Sequence, residues 1–180
     1  MKNFLFRSLI IVFLLSLAGC QQNTANKDED GFVEPESSDW VKYIKPVREY
    51  IFHRTQAVIN NDIHILWRMY PDLKDHIDRE QGVNVEKYEV ESLNEGFDLL
   101  DANYHIENHE RMKVKPINED EVIVLVHGSI VYLRDDFEES GGELLLKVFL
   151  KQINHQWTVV KTDEYTTHEY KEWLQEKEKR

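Results

Sequence analysis

The sequence predicts an α+β domain in which helices come first and an antiparallel sheet of about four strands follows, with the helices on one face. Two observations carry this. Apolar residues recur at steps of three and four up to about residue 100, and from Asn103 onward the apolar period changes to two. A third, the turn-forming clusters at 116–121, 134–142 and 153–156, divides the second half into strand-length pieces.

Trp40, Ile44, Val47, Ile51, Thr55 and Val58 lie on one helical stripe. Pro46 interrupts it, so the main helix is expected to begin there, with proline in its first turn. Asn60 to Asp62 ends that helix and caps a second one through Ile63, Leu66, Trp67 and Tyr70; Pro71 starts a third, closed by Gly82. Between Asn84 and Leu100, the spacing of Tyr88, Leu93, Phe97 and Leu100 leans helical, with Gly96 as a weak point.

From Asn103 to Lys115 one strand is expected. Tyr104, Ile106, Asn108, Glu110, Met112 and Val114 share a face, and His105, Glu107, His109, Arg111, Lys113 and Lys115 share the other. Val122 to Leu133 is a second strand that is apolar on both faces, with Val122, Val124, Val126 and Ile130 on one side and Ile123, Leu125, Val131 and Leu133 on the other. Either that second face meets another subunit, a partner or another element, or the sheet curls and covers itself. An acidic loop holding Gly141 and Gly142 leads to a third strand, Leu144 to Lys151, and the turn at Ile153–Gln156 leads to a fourth, Trp157 to Thr162. Thr166 and Glu169 are spaced as a capping box ahead of Tyr170, Trp173 and Leu174, which predicts a short closing helix.

The N-terminus reads differently. Lys2 and Arg7, an apolar core from Leu9 to Leu15 and small residues ahead of Cys20 have the layout of a secretory signal peptide, too short in its apolar part for the ~20 residues that span a bilayer. Leu17, Ala18, Gly19 and Cys20 resemble the lipobox of bacterial lipoproteins. That resemblance implies cleavage between Gly19 and Cys20, a diacylglyceryl group on the Cys20 sulfur, further acylation such as palmitate, and a place on the extracytoplasmic face of the cell membrane. Cys20 is the one cysteine in the chain, so it has no internal disulfide partner. Two or three acyl chains at about 0.8 kcal/mol per buried methylene make a stable anchor. The expected divisions are a signal peptide over 1–19, a lipidated flexible tether over 20–38 and one domain over 39–180. The tether has only Ala25, Phe32 and Val33 to bury.

Without residues 1–19 the chain holds 20 basic and 34 acidic residues, a formal charge of −14. Such a surface repels phosphate backbones and anionic headgroups, so nucleic acid is not an expected partner and lipid must hold the protein at its membrane.

The order of elements resembles the cystatin-like or NTF2-like cone, in which helices cover the concave side of a bent sheet and a pocket can open at one end. That fold implies no one function. Mid-strand Asn108 and Glu110 on the core side suggest a wet cavity, because an inward carboxylate needs hydrogen bonds or water. Lys161 and Asp163 share the phase of Trp157 and Val159, so Glu110, Lys161 and Asp163 would converge at its mouth. The plainer alternative is that the strand twists outward there and these are surface charges.

Other constellations carry less. His105 and His109 would stand ~13 Å apart on a strand, too far to share one ion. His127 and Ser129 share a face without a nucleophile elbow, and the acidic turn at 134–143 lacks calcium-loop spacing. No cofactor or metal is expected. The leading expectation is a lipid-anchored, non-enzymatic domain that binds a partner or small ligand, with a homodimer or protein partner across the sheet as an option. The alternative is a SnoaL-like cone-fold enzyme with Glu110 or Asp163 as general base.

Overall fold

The computed structural model describes residues 31–78, 82–106, 112–164 and 175. The expected signal peptide, Gly19, Cys20 and most of the closing helix lie outside these residues. Among the described residues no helix is long and apolar enough to cross a membrane.

Helix α1 runs Ser37–Ile59, and the expected stripe is its inner face: Ile44, Val47, Ile51, Thr55 and Val58 are all buried, with Trp40 packed against the same core. Pro46 lies inside α1, not in its first turn. An interior proline costs about 3 kcal/mol through its missing N–H and its clash with the preceding turn. Burial of Tyr43, Ile44 and Val47 on either side offsets that cost, so packing overrides local preference.

Asp62 Oδ1 accepts from the His64 backbone N–H (2.9 Å), which starts α2, His64–Met69. The expected third helix is a single 3₁₀ turn, Pro71–Asp75. Helix α3 runs Val85–Leu93 behind Asn84, whose side chain accepts from the Lys87 N–H (2.9 Å) and donates to the Leu73 and His76 carbonyls (2.7 and 2.9 Å). One asparagine thus caps α3 and ties it to the 3₁₀ turn. The helical tendency expected through Leu100 stops short: Gly96 takes φ +86, and Leu99 already pairs with Arg134.

The sheet has five antiparallel strands, one more than expected: β1 Leu99–Ile106, β2 Lys113–Asn118, β3 Glu121–Arg134, β4 Glu139–Ile153 and β5 Gln156–Glu164. Their order is β1-β3-β4-β5, with β2 also on β3. The single strand expected over 103–115 is two. Ile106 pairs with Gly128 and Lys113 with Leu125, so seven steps of chain cover three of β3 and period-two pairing cannot run through. The loop expected around Gly141 and Gly142 is strand: β4 reaches back to Glu139, and the turn is confined to Asp135–Glu138, closed by Arg134 N–H donating to Glu138 O (2.9 Å).

One sheet face and α1 enclose the main core, which includes Val122, Val124, Val126, Leu146, Val148, Leu150 and Val159. The other face carries a smaller cluster in which Phe32 packs on Leu125 and Leu145, with Ile123 beside them. Val33 pairs with Val114 through two backbone hydrogen bonds of 2.8 Å. The tether was expected to run to Ser38; its last part is instead fixed to the domain from Phe32, because the second apolar face of β3 offers a partner for the segment's few apolar residues. Phe32→Ala should therefore lower stability by about 1.5–3 kcal/mol in urea melts, the value of burying one large side chain. An unchanged midpoint would mean that the segment contributes nothing to the fold.

Candidate functional site

The described residues place a buried polar cluster where α1, α3, β3 and β5 meet. Tyr50 and Arg54 stand one turn apart on α1, and Glu86 and Glu89 one turn apart on α3. Arg54 is 5% exposed and Glu86 1%. Arg54 Nε donates to Glu89 Oε2 and Nη2 to Glu164 Oε1, both at 2.6 Å. Tyr132 O–H donates to Glu89 Oε1 (3.2 Å), so both oxygens of Glu89 are occupied. Glu86 Oε1 accepts from Tyr50 O–H (3.0 Å) and Thr162 O–H (2.5 Å).

Burial by itself would lower the Arg54 pKa; Glu89, Tyr50 and Glu164 outweigh it and hold the guanidinium well above its ordinary range. Burial, then Glu86, raises Tyr50, and burial, then Glu89, raises Tyr132. Burial, then Glu49, raises Tyr70 to about 12. A folded-state pKa above the unfolded value of about 10 means that stability is fully present below pH ~10 and is lost as pH rises beyond it. Of the eight tyrosines, Tyr50 and Tyr132 should stay protonated until the chain unfolds, and Tyr70 should ionise only near pH 12. Phenolate absorbance and circular dichroism recorded together check this. Complete ionisation of all eight with the fold intact would contradict it.

A cavity of about 350 Å³ opens beside this cluster, with Arg54, Glu89, Tyr132 and Glu164 on its polar wall and Val85, Leu93, Ile130 and Leu144 on its apolar one. Its origin lies in two glycines. Gly142 pairs with Ile130 on the core face of β4, and a Cβ there would meet nothing within 4 Å. Gly141 has φ +107, and a Cβ there would lie 2.2 Å from the Ile130 carbonyl oxygen, so β3 and β4 approach as they do because that side chain is missing.

The residues expected from sequence fare differently. Leu150 pairs with Val159 and Phe149 with Lys161, so Val160 is an extra residue that reverses the phase of β5. Thr162 and Glu164 therefore pair with the core residues Val148 and Leu146, while Lys161 and Asp163 take the opposite face from Val159, contrary to the simple alternation. Lys161 Nζ bonds Asp163 (2.8 Å) and sits 4.5 Å over the Phe149 ring; Asp163 also lies 3.4 Å from His76 Nε2. Asn108 and Glu110 lie outside the described residues. A second hollow, of about 420 Å³, runs between Arg48 and β1 as far as Ile106, the last described residue before them.

Arg54, Glu89, Tyr132 and Glu164 were not singled out from sequence. Arg54 carried a legible signal, since it falls inside the buried stripe between Ile51 and Val58, where a charge needs a partner. Glu164 did not, because the bulge that turns it inward leaves no mark in the alternation. Among the described residues no group of three or more His, Cys, Asp or Glu side chains is placed to hold a metal ion.

No family model matches the sequence, and no curated protein matches it. Solved structures do. Aln2 from a Streptomyces species is 7% identical with a TM-score of 0.51, over 77% of this chain and 97% of that one. A protein with a cystatin-like fold from Nostoc punctiforme is 14% identical with a TM-score of 0.46, over 73% and 93%. An NTF2-like superfamily protein from Salmonella enterica serovar Typhimurium is 9% identical with a TM-score of 0.47, over 72% and 92%. At such identities the likeness is one of fold alone.

Proposed function

We propose that this protein is a lipoprotein, cleaved before Cys20 and held by lipid at the extracytoplasmic face of the cell membrane, whose one domain binds a small ligand without transforming it. The helices lie on the concave side of the sheet in this reading, and the cavity at the α3 end is the binding site. The observation that supports it is the state of the cavity wall: Arg54, Glu89 and Tyr132 are already joined to one another, so they shape a rigid lining. At about 350 Å³ the cavity falls at the small end of ligand pockets, about 300–1,000 Å³. The enzyme alternative rests on Glu110 or Asp163 as general base, and Asp163 accepts from Lys161 on the opposite sheet face from Val159. The charge of −14 outside the signal peptide supports the exclusion of nucleic acid.

Because a Cβ at Gly142 meets nothing within 4 Å, Gly142→Leu places an apolar side chain in the cavity. A screen of small fragments by chemical-shift mapping tests the reading: hits should converge on the cavity and disappear in this variant.

A further inference from the structure

Among the described residues the cavity wall carries one more carboxylate than cations: Arg54 stands against Glu89 and Glu164. Its Nε and Nη2 are given to Glu89 and Glu164, and Nη1 faces the Tyr50 hydroxyl at 3.4 Å. An incoming anion would have to displace one of these partners and would meet the charge of both carboxylates at short range. A cation meets the reverse situation. Glu164 gives Oε1 to Arg54, and its side chain is 29% exposed, so its second oxygen can be reached. Tyr88 and Tyr132 also line the cavity. The other half of the lining, Val85, Leu93, Ile130 and Leu144, is apolar.

Resting on the binding reading above, we infer that the ligand is a small organic cation, an ammonium or amidinium group on an apolar body, with its charge toward Glu164 and its body against Leu93 and Ile130. The excess of 14 negative charges over the chain beyond residue 19 would also draw cations toward the domain.

Three probes that share one carbon skeleton separate charge from shape: phenylpropylamine, phenylpropanol and phenylpropionate, titrated calorimetrically into the full-length protein in non-ionic detergent. The amine should bind at least about tenfold more tightly than the alcohol, as expected of one charge-assisted hydrogen bond, and phenylpropionate should bind least. Gly142→Leu should remove all binding. Alcohol or phenylpropionate binding as well as the amine, with Gly142→Leu still abolishing it, would overturn the cation inference and leave the binding site standing. No binding of any probe would overturn both.

Discussion

Arg54→Met should destabilise the protein by about 3–5 kcal/mol, the cost of removing one partner from a buried ion pair and leaving the other without a counter-charge. Arg54 is the point where α1, α3 and β5 are joined: it reaches Glu89 thirty-five residues away and Glu164 one hundred and ten away, each at 2.6 Å. Without it Glu89 keeps only Tyr132, and Glu164 loses the bond that holds it against the core. Against the roughly 5–15 kcal/mol typical of a domain, that loss takes between about a fifth and the whole of the total. Urea denaturation measures it. Replacing Glu89 and Glu164 by Leu in the same chain should recover most of it, because an apolar set of similar volume carries no desolvation cost. A loss below about 1 kcal/mol would mean that the ion pairs are incidental to the fold.

Cys20→Ala should abolish detergent-phase partitioning of the mature protein. With no thiol there is no thioether lipid, and cleavage before residue 20 has no substrate, so the product is an uncleaved precursor or a soluble chain. A domain with so acidic a surface has no electrostatic hold on an anionic leaflet to replace the lipid. Phase separation and intact mass report the two halves of this separately. Unchanged partitioning, with no lipid mass on the mature N-terminus, would remove the anchor.

The sequence carried its core plainly and its site poorly. The α1 stripe and the Val122–Ile130 face could be read because burial imposes a period, and those residues are buried. Pro46 misled because tertiary burial outweighed a local penalty. The split of the 103–115 strand and the bulge at Val160 were hidden for a common reason: an inserted residue changes which side chains face inward without changing composition. That one step exchanged Lys161 and Asp163 for Thr162 and Glu164. Gly141 and Gly142 read as a turn, since two glycines among acidic residues usually are one. Both are strand residues, and the missing side chain of Gly142 leaves the cavity open. Phe32 was too isolated in the sequence to suggest burial; its partners Leu125 and Leu145 lie more than ninety residues away.

The central claim is that the space beside Arg54, Glu89 and Tyr132 is a binding site. Chemical-shift mapping of a mixed fragment library on the full-length protein in detergent, repeated on Gly142→Leu, tests it most directly. The account predicts that bound fragments shift the resonances of Tyr88, Glu89, Ile130 and Gly142 in the native protein, and that these shifts vanish in the filled variant while its spectrum stays folded. Fragments that gather instead along Arg48 and β1, or shifts that survive in Gly142→Leu, would contradict it.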